Sequence, residues 1–356
     1  MKRSQLFFGI SVALIGVLSF GAAQVMAPSG VIAFHDVCNG REYVMRGDGT
    51  GRVQLPLPAP VEGAPSWFGK MVYDISTSGP VTVMLAGLQA VQVNELGGVL
   101  VPDEPVNLRL PEDPNLPPGI NDGSIALSPR GDRIALYNGA IVIADIVRDL
   151  SGKIVALTNP TVAANPYNLG SPADTNSKCC SSFGYVDFSP DGTRLVVTSY
   201  GDLWLLELAA DGHTLLSSRP LTRTVGTQEW DAAFSPDGRT IAYTGADNKY
   251  IQSMDDFALP GNTENIYQLD LTTLKTTLLT TKKNKGGSGD GRNGAAWSPD
   301  GREILFYAPG PPGGRNSACG LGNPDLFKIK ADGTAPATNL TNTVGTSKEI
   351  WCSWGW

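Results

Sequence analysis

Few residues of this chain could carry chemistry, and their spacing limits what that chemistry could be. The two histidines, His35 and His213, stand far apart, which excludes a His-rich metal centre. No Gly-x-Ser-x-Gly string occurs, so no serine sits on a nucleophile elbow. What remains is a column of carboxylates: Glu62, Asp122, Glu229 and Glu349 each lie five residues ahead of a recurring hydrophobic anchor, with Phe183 and Arg292 at the two other equivalent places. Arranged as a ring with one opposing arginine, these acids should attract a cation, an amine or a basic peptide, and Asp122, Glu229 and Glu349 are candidate Ca2+ ligands. Alternatively, each acid caps its own loop by accepting backbone N–H groups. Neither reading requires a cofactor.

The elements that must position these residues are announced by repetition. Ser-Pro-Asp-Gly occurs at 189–192, 235–238 and 298–301, each time after an aromatic residue and before a β-rich run. Leu127-Ser128-Pro129-Arg130-Gly131 is a degenerate copy, and Trp67-Phe68-Gly69-Lys70, leading into Met71-Val72-Tyr73, is a weaker one. The anchors are therefore Trp67, Leu127, Phe188, Phe234, Trp297 and Trp354, which makes six units. Pro presets φ, Asp bonds its own downstream backbone and Gly accepts positive φ, so the string closes a hairpin. Around the clearest copy four strands can be read: 185–188, 194–198, 202–208 and 214–221.

A four-stranded unit repeated at this spacing predicts an all-β, six-bladed β-propeller. The last anchor leaves its unit with one strand, and the three missing strands are found at Val31–Asp36, Arg41–Arg46 and 51–55. The C-terminal strand should pair with those three and seal the ring. Residues 28–356 then form a single propeller domain.

The string Val31-Ile32-Ala33-Phe34, followed by Arg41-Glu42-Tyr43-Val44-Met45 and Gly47-Asp48-Gly49-Thr50-Gly51, together with the Ser-Pro-Asp-Gly turns, resembles the blade repeat of TolB-like propellers, a WD-repeat-like family. The resemblance covers nearly all of the expected mature chain. It implies a scaffold that hosts binding proteins, peptidase accessory domains and some lyases. Such lyases rely on clustered His and metal at the top of the channel, a set this sequence does not supply.

Composition points to export. Lys2 and Arg3 precede an apolar stretch from Leu6 to Leu18 and the small residues Gly21, Ala22 and Ala23, which fits a secretory signal peptide over 1–23, cleaved after Ala23. A periplasmic or secreted monomer with no membrane span after cleavage is expected. The net charge of -7 speaks against a nucleic-acid partner. Five cysteines in an exported chain call for disulfides, and all five map to the face that carries the acidic column. Cys319 with Cys352 is the preferred bridge, since it would staple the fifth blade to the closing strand; Cys38 could instead pair with either. Cys179 and Cys180 form a vicinal disulfide, or one of them pairs with Cys38.

Two readings of function follow. In the first, the protein is a binding or scaffolding propeller that recognises a protein, peptide or glycan through its top face. There the connections 247–264 and 308–323 are long, and Trp230 and Trp351 flank the acids as an aromatic surface or as packing between blades. His35 ends a strand beside Asp36 and points to that face, as a ligand, an acid–base group or a structural hydrogen bond, whereas His213 is an exposed turn residue. The second reading is a carbohydrate- or peptide-processing lyase or hydrolase working through the same carboxylates.

Overall fold

Every well-preserved turn closes in the same way. The Ser hydroxyl donates to the Asp carboxylate two residues on, at 2.6 Å for Ser189 and Asp191, 2.6 Å for Ser235 and Asp237 and 2.7 Å for Ser298 and Asp300. The same hydroxyl accepts the amide of the residue entering the second strand: Arg194, Thr240 and Glu303, at 2.9, 3.0 and 2.9 Å. Gly192, Gly238 and Gly301 take φ near +70°, which a side chain would strain. In the degenerate copy the carboxylate has moved two places along, and Ser128 donates to Asp132 at 2.7 Å.

The computed structural model describes residues 30–36, 39–57, 72–75, 81–85, 88–117, 124–137, 139–165, 169, 185–225, 227–247, 264–280, 293–309, 324–343 and 349–355. Val31–Asp36 (β1), Arg41–Arg46 (β2) and Val53–Gln54 (β3) belong to the closing, sixth blade. The first blade is Val72–Ile75 (β4), Val81–Leu85 (β5), Gln89–Leu96 (β6) and Val99–Pro102 (β7), with Val106–Asn107 (β8) also on β6. Ser124–Leu127 (β9), Arg133–Tyr137 (β10), Ile141–Arg148 (β11) and Ile154–Ala164 (β12) make the second. The third is Val186–Phe188 (β13), Arg194–Ser199 (β14), Asp202–Leu208 (β15) and Leu215–Pro220 (β16). Thr227–Phe234 (β17), Thr240–Asp247 (β18), Asn265–Asp270 (β19) and Thr276–Leu278 (β20) build the fourth. Asn293–Trp297 (β21), Glu303–Pro309 (β22), Pro324–Lys330 (β23) and Thr338–Asn339 (β24) build the fifth, and Glu349–Gly355 (β25) completes the sixth.

Closure occurs as expected, in the order β25-β1-β2-β3, with Ile32 opposite Trp354 and Asp36 opposite Glu349. All six sheets are antiparallel and run from an innermost to an outermost strand, so the ring leaves no gap between first and last blades. The core lies between blades: Val196, Leu203 and Leu205 of the third pack on Ala232, Phe234 and Ile241 of the fourth. Anchors face the preceding blade. Trp297 Nε1 donates to Ala233 O at 3.1 Å, and the guanidinium groups of Arg133 and Arg194 lie over the rings of Phe188 and Phe234 in the blades that follow them.

One assignment is corrected. The run through Val72 and Tyr73, expected as a second strand after the anchor Trp67, is the innermost strand of its blade. Ile75, 1% exposed, stands where the other blades carry their anchors, and Trp67 lies outside the described residues. The cause is the turn sequence: no Ser-Pro-Asp-Gly string marks the first blade, so the anchor was sought upstream of its true place.

Candidate functional site: the inner wall of the ring

The residue just before each anchor sits on the innermost strand and looks toward the next blade. At that place stand Asp74, Ala126, Asp187, Ala233, Ala296 and Ser353. Asp74 Oδ2 accepts the Leu127 amide of the following blade at 2.6 Å, and Asp187 Oδ2 accepts the Phe234 amide at 2.7 Å. Two residues higher, Asp231 Oδ2 accepts the Gly294 amide at 3.0 Å. These carboxylates thus reach in one rotational sense, each supplying an acceptor to the free edge of the neighbouring inner strand. Ser353 Oγ approaches Asp74 Oδ1 from the sixth blade at 3.4 Å, which extends the series across the closure.

All three aspartates are half-buried on the inner wall. Desolvation pushes Asp74 up to about 7. Asp187 is pushed up to about 8 by desolvation and then by the charge of Asp74. Asp231 rises to about 6 through desolvation, restrained by hydrogen bonds from the Tyr185 hydroxyl and the Gly294 amide. Burial also pushes up the Tyr307 hydroxyl and the Cys352 thiol, and the Asp231 charge adds to both.

The expected acidic ring is placed differently. Glu62, Asp122 and Arg292 lie outside the described residues, as does the side chain of Glu349, whose backbone is in β25. Glu229 does not face the channel mouth. Only 2% exposed, it accepts a hydrogen bond from the Thr222 hydroxyl, in the loop that leads into its own strand. Burial pushes it up to about 7, with the charge of Asp202 adding to the effect. The reason is a β-bulge between Trp230 and Ala233, where two residues oppose one on β18. Within the bulge Asp231 points forward to the next blade; above it the alternation has flipped, and Glu229 points back. Asp231 holds φ +51° there and Gly294 +75° at the equivalent place in β21, where a bulge also falls. Glu229 thus bonds a hydroxyl of the loop that leads into its strand.

His35 is fully buried, and its Nδ1 lies 3.2 Å from Glu42 Oε1, the residue directly opposite on β2. It is a cross-strand partner and not a group on the top face. His213 is also no free turn residue, since its Nε2 lies 2.8 Å from Asp145 Oδ1 of the preceding blade. Trp230 is half-buried in β17. Cys352, expected to bridge to Cys319 or Cys38, is a free thiol in the middle of β25; its Sγ rests 3.6 Å from Gly294 O. Cys38, Cys179, Cys180 and Cys319 lie outside the described residues.

Sequence reading missed Asp74, Asp187 and Asp231, although the column one place before the anchors contained the first two once Ile75 is the anchor. It also missed a structural repeat. Thr222, Thr280 and Thr341, each after a Leu at the end of a blade, accept the amides of Leu203, Ile266 and Leu326 at 2.8, 2.9 and 3.1 Å. Among the described residues no three His, Cys, Asp or Glu side chains are grouped to hold a metal. No helix among them is long and apolar enough to cross a membrane.

No protein-family description matches the chain, and no curated protein does. Solved structures do. TolB from Acinetobacter baumannii is similar with a TM-score of 0.51 at 14% identity over 91% of this chain; the alignment takes in 66% of that TolB, so the chain spans just under two thirds of its length. A chain of a nidogen/laminin complex is similar with a TM-score of 0.50 at 10% identity, over 91% of this chain and 98% of that one. Likeness at such low identity speaks of architecture alone. With the six closed blades, it shows that the chain is a six-bladed β-propeller of the fold that TolB also contains.

Proposed function

We propose that the protein is an exported, non-enzymatic binding propeller that recognises a protein, peptide or glycan partner through its top face. The observation that supports this reading most is the asymmetry between the two ends of the strands. At the bottom, successive strands join through tight turns such as 128–132, 189–193, 209–214 and 271–275. At the top the connections include 165–185, 248–264, 279–292 and 310–323. A rigid ring that gathers its longest connections on one side is built as a platform for recognition. Among the described residues, the inner-wall carboxylates of Asp74, Asp187 and Asp231 are engaged with backbone amides, and the two histidines are engaged with carboxylates in separate blades.

A glycan and peptide array read in parallel for capture and for product tests the proposal. Capture without turnover is expected, lost when 248–263 and 310–323 are replaced by short Gly-Asn turns and kept when the bottom turn 271–275 is exchanged for the turn of another blade. Product formation from a captured glycan or peptide, or capture indifferent to both shortened connections, would sink it.

A further inference from the structure

Five of the six blades close the turn between their third and fourth strands on an aspartate: Asp48, Asp149, Asp211, Asp270 and Asp332 accept the amides of Thr50, Ser151, His213, Thr272 and Thr334, each at 2.9 Å. The first blade has no such acid. There Gly97 and Gly98 turn the chain between Leu96 and Val99, a Cβ on either glycine would meet nothing within 4 Å, and both aliphatic side chains are more than half exposed. The second blade keeps Asp149 but carries Leu150, fully exposed, at the tip of its turn. With Val101, Val147, Val155 and Val162 these side chains make an apolar outer rim over two neighbouring blades, which Lys153 Nζ joins by donating to Glu104 O at 3.4 Å. Among the described residues the fifth and sixth blades expose no large aliphatic side chain.

Charge and backbone narrow what can cover this rim. β7, β8 and β12 carry no ionisable side chain, and the ions at the border are matched, Arg46 with Glu95 at 3.0 Å and Lys153 with Asp149, which holds its amide. A chain of net charge -7 repels its own copies, so a neutral rim is where two of them can approach most closely. The outer edge of β12 is a poor template for an added strand, since the register shifts beside Val155 and Pro160 has no N–H to give. Contact must therefore run through side chains. A bilayer laid against these tips would also meet the turns of the next blade, where Asp191 and Asp211 are held as anions.

We infer that the outer rim of the first and second blades is a self-association surface, on which a second copy of the chain docks its own rim about a two-fold axis, in place of the monomer expected from the sequence. A two-fold contact buries the same patch on both copies, so each exposed aliphatic side chain is covered by the partner's. The apolar centre is small for a permanent interface, which places association in the micromolar range. Salt should strengthen it, by screening the repulsion between two acidic copies. Because the rim lies outside the ring, both top faces stay open and the dimer presents the recognition platform twice.

The test is sedimentation equilibrium of the whole protein from about 1 to about 100 µM, with amide hydrogen exchange read at both ends of that range. The mass should double with concentration, and protection should rise over 96–101 and 147–155 and nowhere else. Leu150→Glu and Val99→Glu should each weaken association by about ten-fold or more, because each places two like charges in one two-fold contact. Leu278→Glu, the same kind of change on the exposed outer strand of the fourth blade, should leave it unaltered. A chain that stays monomeric at every concentration overturns the proposal, whether or not it binds phosphatidylcholine vesicles. So does association that both rim variants leave intact, that Leu278→Glu weakens equally, or that protects a different part of the ring. Should a rim variant fail to fold, the place where protection rises in the wild-type protein decides alone.

Discussion

Two sets of aspartates in this propeller meet opposite fates. Those of the bottom turns lie at the surface, where local donors converge on them. The turn amides and hydroxyl of Thr214 and the amide of His213 hold Asp211 down at about 2. At Asp191 desolvation pushes upward, but the hydrogen bonds of Ser189 and Thr193 outweigh it and the carboxyl also falls to about 2. The aspartates of the inner wall receive one or two amides each and are pushed up by desolvation to between about 6 and about 8. One residue type thus serves as a permanently charged clasp on the floor and as a titrating joint in the wall. Desolvation, more than the number of donors, decides which.

The largest expected effect separates the two sets by pH. Wall acids have folded-state values raised above the unfolded ones, so their contribution is fully present below about pH 4 and is lost as the pH rises through about 8. Turn acids are depressed, so theirs is present above about pH 4 and is lost as the pH falls through about 2. The melting temperature should be highest at mildly acid pH and lower by ~5 °C or more at pH about 8.5, with a separate collapse in strong acid. Thermal melts across this range check it. A maximum at pH about 8 would erase the distinction.

Next in size is the loss of a floor hydroxyl. Ser189 is fully buried, donates to Asp191 and accepts the Arg194 amide. Ser189→Ala leaves that amide without its partner inside the turn and should cost about 1–3 kcal/mol in urea unfolding, at every pH between about 5 and about 8. The wall gives the contrasting result. Asp187→Asn, which keeps an acceptor and removes a costly charge, should stabilise by about 1 kcal/mol at pH about 8.5 and have no effect near pH about 4.5. Asp191→Asn should have the opposite sign. Equal signs for the two Asp→Asn changes would show that desolvation does not govern them.

How far each region could be read from sequence follows from the same contrast. The floor was legible because its interactions are local: Ser, Pro, Asp and Gly within one turn dictate their own geometry, and even Ser128 with its displaced Asp132 fits the frame. From that ruler came six blades and the closure through β25. The wall was less legible because its partners lie a whole blade away, Asp74 with Leu127 and Asp187 with Phe234. No local pattern records such a pairing. The bulge of β17 did further damage, since counting five residues back from Phe234 assumed an unbroken alternation. One extra residue sent Glu229 to the face opposite the one expected, and Asp231, which the count passed over, took the inward place.

The smallest effect concerns what joins one floor turn to the next. Arg194 lies 3.6 Å from Asp191, with more than half of the Asp191 side chain exposed, and its guanidinium stands 5.5 Å from the Phe234 ring centroid. An ion pair so open to water contributes little, and the stacked cation contributes more through the ring it covers. Arg194→Met keeps the apolar stem over Phe234 and removes the charge. It should cost about 0.5–1 kcal/mol in urea unfolding, lose that cost only in small part at high salt, and leave the pH profile of stability unchanged. A cost that vanished at high salt would mean that the ion pair, not the stacking, ties the floor together. A shifted pH profile would mean that Arg194 reaches the wall acids after all, and the two sets of aspartates would then share one electrostatic field.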